Sequence, residues 1–287
     1  MNDVRRASYS GLAVAIALSV FCVSSHADEG SARTVTVAAT TLYSLDDVRR
    51  VVSTAVAQSA DTIVVTVSPY AIGDLSFDAT AALIRAAHDR SLHVRGRVMA
   101  NLVTGVDELP ISRAHVVYQH PEWLMVPREI APEMLRIDQR SPGYVGRLSR
   151  WGRANASRVS GLYLSPLSPA AAEYAARATE DLVRRYAFDG LDIRAVPWSD
   201  DFDYSRTAMD LFRADLRTRL LSADLDRMDK VEALDPFAYA DEYPEEWRQF
   251  ERSRLDELVN RVSASALAIR PSLLLAADEA ATVQDAH

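Results

Sequence analysis

The residues best suited to chemistry gather in one stretch. Asp189–Val196 (DGLDIRAV) is a short aliphatic run carrying Asp192 and Arg194. It leads into Trp198-Ser199-Asp200-Asp201-Phe202-Asp203-Tyr204, a loop with three carboxylates and three aromatics. Carboxylates set among aromatic rings suit sugar chemistry. Ring faces stack on the C–H faces of a pyranose, and a pair of carboxyls can divide acid and base, or acid and nucleophile, across a glycosidic bond. The same residues also have plain structural readings. Asp189-Gly190 is a turn signal, Asp200 to Asp203 form a charge cluster before a helix, and Trp198 packs.

These residues must be positioned by a scaffold, and the pattern around them is that of strands alternating with helices. Thr34–Ala39, Asp61–Ser68, His93–Val103, Asp189–Val196 and Ser272–Ala277 read as five strands. Helices are expected over Leu45 onward, Ala79–Ser91, Pro169–Tyr186, Ser205–Leu221 and Pro244–Ile269. Ser44 is the expected N-cap of the first, with Leu45, Val48, Val52, Ala55 and Val56 on its inward face. Thr104 to Pro169 reads as a long, irregular stretch rich in proline and aromatics, and loops of that length tend to be functional.

Strand–helix repetition implies a parallel sheet with helical crossovers. No glycine-rich dinucleotide or phosphate loop opens any of the helices, so a (β/α) TIM-barrel-like fold is expected over a doubly wound one. A closed barrel needs about eight strands. With five countable, the expectation is a barrel truncated after about five strands.

Ligands of parallel α/β folds bind at the carboxyl ends of the strands. The candidates there are Tyr70 after the second strand, Asn101 after the third, Asp192, Arg194 and Trp198 after the fourth, and Asp278 and Glu279 after the fifth. As a hydrolase site, Asp192 would act with Asp278 or Glu279. As a binding site, Arg194 would work with the rings of Tyr70, Trp123 and Trp198. Two histidine pairs, His88 with His93 and His115 with His120, lack the spacing of metal ligands, so no metal and no cofactor is expected.

The N-terminus has the layout of a cleaved leader. Arg5 and Arg6 precede the apolar run Gly11–Val23, and Ser25-His26-Ala27 ends on a small residue. The run is roughly 13 residues, short of the ~20 that span a bilayer. A signal peptide over 1–27 and one domain over 28–287 are therefore expected, with a secreted or periplasmic location. Cys22 falls within the leader, leaving no disulfide or thiol nucleophile in the remainder. Removing Arg5, Arg6 and Asp3 takes the net charge from -8 to -9. That balance argues against nucleic acid or an anionic membrane as partner.

Several separated segments are similar to one family. The stretch from Glu108-Leu109-Pro110 through His115-Val116-Val117-Tyr118-Gln119-His120-Pro121-Glu122-Trp123-Leu124-Met125-Val126-Pro127-Arg128 resembles the long third-strand loop of the family-10-like glycosyl hydrolases. Tyr163-Leu164-Ser165-Pro166, Tyr186–Gly190, Asp200 to Arg206 and Pro244-Glu245-Glu246-Trp247 fit the same family in order. The resemblance runs from about Thr40 to the C-terminus. It implies an exported (β/α) barrel acting on extracellular or cell-wall polysaccharide by carboxylate chemistry, with carbohydrate as partner and Asp200 and Asp201 near the substrate. It also implies further strands beyond His287.

The departures from the family pattern bear on activity. The fourth strand of relatives carries a His-x-Asp pair where this chain has Asp192 and Arg194. The third strand begins His-Ala-Trp where this chain has Arg95-Gly96-Arg97, while the strand-three Asn is retained as Asn101. Arginine stays protonated and serves as neither nucleophile nor general acid. A non-catalytic carbohydrate-binding relative and an inactive barrel fragment are the alternatives to a hydrolase.

Overall fold

The computed structural model describes residues 33–70, 77–106, 109–195 and 202–277. The expected leader, and Trp198, Asp200, Asp201, Asp278 and Glu279, lie outside them. In chain order the first elements are β1 (Thr34–Ala38), α1 (Leu45–Ala57), β2 (Thr62–Val67), α2 (Ala79–His88) and β3 (His93–Met99). An insertion follows, made of β4 (Leu102–Gly105), α3 (Val116–Gln119), α4 (Ala131–Met134), α5 (Pro142–Ala154) and β5 (Gly161–Tyr163). The alternation resumes with α6 (Pro169–Arg185), β6 (Gly190–Arg194), α7 (Arg206–Arg217), α8 (Ser222–Glu232), α9 (Ala238–Glu242), α10 (Pro244–Ile269) and β7 (Leu274–Ala277).

The main sheet has five parallel strands in the order β1-β2-β3-β6-β7. Strands that neighbour one another in chain order, with no reversal, are the arrangement of a (β/α) barrel wall. A doubly wound sheet instead changes direction at a switch point. The fold is thus α/β and TIM-barrel-like, as the strand pattern predicts.

The two faces of this sheet differ because side chains alternate along each strand. Val35 and Val37, Ile63, Val65 and Val67, Val94 and Val98, and Leu191 and Ile193 share one face and belong to the main hydrophobic core. Against them lie Val48 and Val52 of α1, Leu83 and Ile84 of α2, Leu182 and Val183 of α6, and Leu258 and Val262 of α10. The register sets two rows on the other face, Thr36-Val64-Arg95-Gly190-Leu274 and Ala38-Thr66-Arg97-Asp192-Ala276. Val64, though buried, is not part of the main core cluster.

Helix boundaries follow local signals. Ser44, Ser168 and Ser205 cap α1, α6 and α7 by accepting from the backbone N–H of Asp47, Ala171 and Ala208. Pro169 and Pro244 start α6 and α10, where a missing N–H costs nothing. No helix among the described residues is long and apolar enough to cross a membrane.

Three expectations are corrected. The third strand ends at Met99 rather than Val103, because the chain leaves the sheet at Ala100-Asn101 and β4 pairs antiparallel with β5. Thr104 to Pro169 is not irregular throughout, since it contains α5, a 13-residue helix capped by Ser141 with Pro142 at its start. On α1, Leu45 and Val56 are exposed, while Val48, Val52 and Ala55 are buried as expected.

Candidate functional site

The second face of the sheet carries the charged groups. β3 and β6 lie side by side with Arg97 opposite Asp192, so Arg95, Arg97, Asp192 and Arg194 all stand on this face. Asp192 is held between two guanidiniums. Arg95 Nη2 donates to its Oδ1 at 2.6 Å, and Arg97 Nη2 lies 3.5 Å from its Oδ2. All three side chains keep some exposure, 29% for Arg95, 21% for Arg97 and 13% for Asp192. Gly190 precedes this pair in β6 because β7 passes close by. A Cβ there would come within 2.7 Å of the Leu274 carbonyl oxygen.

Arg95 and Arg97 were not among the site residues expected from the sequence. Their signal was present, since two arginines flanking a glycine in a strand must share a face. The strand-tip residues Tyr70 and Asn101 lie deeper than a ligand-lining role requires. Tyr70 is 1% exposed, its hydroxyl donates to the Ala100 carbonyl, and its ring stacks on Tyr174 at 5.9 Å. Asn101 is fully buried, and its carbonyl accepts from Leu164 N–H at 2.8 Å, anchoring the insertion to the strand tips. Ala100 N–H in turn donates to the Arg194 carbonyl at 2.6 Å. Tyr70 and Asn101 therefore brace the ends of β2, β3 and β6 from beneath.

Trp123 is half-buried and continues the ring series outward. It is tilted against Tyr174 at 5.8 Å and stacked on His120 at 3.7 Å with an interplanar angle of 6°. His120 Nδ1 lies 3.0 Å from Glu122 Oε1. The other histidine pair has a structural setting. His88 Nε2 lies 3.0 Å and His93 Nδ1 3.9 Å from Asp189 Oδ2, which also accepts from Val94 N–H at 2.7 Å. Burial opposes ionisation of Asp189, but the Val94 N–H and the two histidines outweigh it and hold the carboxyl below its ordinary range.

Asp203, one of the three loop carboxylates, is fully buried beyond β6. Its Oδ1 accepts from Val126 N–H at 3.2 Å and Ser205 N–H at 3.3 Å, joining the insertion to the start of α7. Burial pushes its pKa up to about 6, with the hydroxyls of Ser165 and Ser205 and these two amides only partly offsetting it. A cavity of about 370 Å³ lies next to this region, lined by Val126, Met134, Tyr144, Tyr204 and Arg206 among others. No residue of the five-stranded sheet lines it.

The fold defines a class, the TIM-barrel-like α/β proteins, and the chain shares it with solved structures. The chain is similar to the alpha-L-fucosidase isoenzyme 2 from Paenibacillus thiaminolyticus, with a TM-score of 0.52 and 18% identity over 86% of this chain and 32% of that one. It is also similar to the PgaB (BpsB) glycoside hydrolase domain from Bordetella bronchiseptica, with a TM-score of 0.46 and 14% identity over 86% of this chain and 64% of that one. The chain thus spans about a third of the fucosidase's length. At such identities the likeness is one of fold. No family model matches the chain, and no curated protein matches it.

Proposed function

We propose that this chain is an exported, carbohydrate-binding relative of the family-10-like glycosyl hydrolases, taking an extracellular or cell-wall polysaccharide on the polar face of β3 and β6. The observation that carries the reading is the placement of Asp192 between Arg95 and Arg97 on the polar face of the sheet. A carboxylate whose two oxygens both face guanidiniums is held in ion pairs rather than left open to attack a sugar carbon. Arg194, where the resemblance places an acid in relatives, serves as neither general acid nor nucleophile. What these groups do well is orient polar ligand atoms. Trp123, half-buried with one face on His120, offers the kind of ring a pyranose stacks against. The likeness of fold to the fucosidase supports the carbohydrate reading. The leader over 1–27 supports a secreted or periplasmic location.

Calorimetric titration of the purified chain against a panel of polysaccharides, run alongside a reducing-sugar assay, tests this. Binding without release of reducing ends is the expected result, with Trp123→Ala weakening it. Release of reducing sugar that disappears in Asp192→Asn would replace the binding reading with hydrolysis. Absence of binding across the panel would end both.

A further inference from the structure

We propose that the cavity between the insertion and the start of α7 is a second glycan subsite, one that takes a neutral sugar unit. The inference rests on the carbohydrate-binding reading and adds a place for the ligand away from the polar face of the sheet. The cavity measures about 370 Å³, at the lower end of the roughly 300–1,000 Å³ typical of ligand pockets. Its walls come from two stretches far apart in the chain, 126–144 and 204–206. Hydrogen bonds pin those stretches together. Tyr204 N–H donates to the Val126 carbonyl at 2.8 Å, and Arg206 Nη2 donates to the Leu135 carbonyl at 3.2 Å. Asp203, itself fully buried, accepts from the N–H groups of Val126 and Ser205, and both of those residues line the cavity. A pocket whose walls are fixed before a ligand arrives loses little entropy on binding it.

The lining grades from apolar to polar. Val126, Met134, Tyr144 and Tyr204 are buried, whereas Arg136, Asp138 and Arg206 are exposed and Gln139 is half-buried. Burial pushes the Tyr144 hydroxyl up to about 12, with Gln139 only partly offsetting it, so the phenol stays neutral. The exposed side mixes hydrogen-bonding types. Arg136 and Arg206 only donate, a carboxylate such as Asp138 only accepts, and Gln139 does both. A simple anion would meet Asp138, and a simple cation would meet the two arginines, each at a cost. A sugar hydroxyl both donates and accepts, and a pyranose ring adds C–H faces for the buried apolar side. A neutral sugar is therefore the class of ligand that satisfies the whole lining at once.

The test titrates the purified chain by calorimetry with cellobiose, xylobiose, galactobiose and diacetylchitobiose, at low and high salt, and with inorganic phosphate. At least one disaccharide is expected to bind, with little change between the two salts, since the ligand carries no charge to screen. Two variants should each weaken that disaccharide by about tenfold or more. Ile137→Trp fills the cavity from its half-buried lining position, and the double variant Arg136→Ala with Gln139→Ala strips its exposed side. The double variant changes no buried residue, so it tests the site even where Ile137→Trp disturbs the fold, and a thermal transition is recorded for each. A disaccharide that binds the double variant as tightly as the parent would overturn the cavity assignment and leave the carbohydrate reading standing. The same holds if a polysaccharide binds and no disaccharide does. Binding of inorganic phosphate without any disaccharide would overturn the neutral-sugar assignment. No binding of either disaccharide or polysaccharide would remove the carbohydrate reading itself.

Discussion

Asp192 and Asp203 stand close together in the chain and meet opposite surroundings. Asp192, on the polar face of the sheet, has a guanidinium at each oxygen and a little solvent. Asp203, past the end of β6, has no exposure and is met by backbone N–H groups and serine hydroxyls. A cation stabilises the charged carboxylate directly. Neutral donors in a dry site do so only in part, and burial wins. The first arrangement keeps its charges within reach of solvent. The second ties the insertion to α7 and makes stability respond to protons.

Three measurements press on that difference. The largest effect is expected at Asp203. With a folded pKa of about 6 against the ordinary 3.8, the native state binds more protons than the unfolded chain between those values. Stability should therefore be highest below about pH 4 as far as this group is concerned, and fall as pH rises through 6, by roughly 3 kcal/mol. Asp203→Asn keeps an oxygen for Val126 and Ser205 and should flatten that slope, as read from denaturant unfolding at pH 4.5 and pH 7. An unchanged slope in the variant would show that the carboxyl ionises freely.

At Asp192 the expected loss is smaller. Asp192→Ala leaves two guanidiniums adjacent without an anion, and because the site is partly solvated the cost should be about 1–2 kcal/mol, less than for a fully buried pair. The loss should shrink at high salt, which screens the repulsion. Chemical denaturation in 50 mM and 500 mM salt reads it. Asp189 should show the least. It is a third exposed, and Asp189→Asn still accepts from Val94 N–H, so the variant should stay within about 1 kcal/mol of the parent at pH 7. Because the folded carboxyl sits below its ordinary range, the contribution of its ionised form is present above pH 3.8 and lost as pH falls below it. Acid titration of the parent and the variant, followed by circular dichroism, should diverge only in that range.

Much of the scaffold was legible because its signals are local. β1, β2 and β7 are runs of β-branched or aliphatic residues, β3 and β6 alternate aliphatic with charged or glycine positions, and the Pro244–Ile269 boundaries of α10 match the expected ones. The insertion was harder. Gly143, Gly146 and Gly152 lower the helix propensity of α5, and only the Ser141-Pro142 start marks it. In the site, Asp192 and Arg194 were found from their place at a strand end. Arg95 and Arg97 were missed as site residues, although alternation along β3 put them on the face of Asp192. Tyr70 could not be placed, since its ring turns inward to meet Tyr174 and Ala100, partners far off in the chain.

The chain-order strand sequence has a consequence for how the molecule is made. β1 finds β2, and β2 finds β3, one crossover later, so pairing can keep pace with synthesis. β3 and β6 are different, because Arg95 meets Gly190 only across roughly 90 residues, and closing so long a loop is entropically slow. The antiparallel β4–β5 pair shortens the open stretch before β6 arrives. Until then β3 is a bare edge of a nascent sheet, the kind of edge that recruits other chains. Arg95 and Arg97 then stand as gatekeepers on that edge, repelling a second copy by their charge, before Asp192 arrives to occupy them.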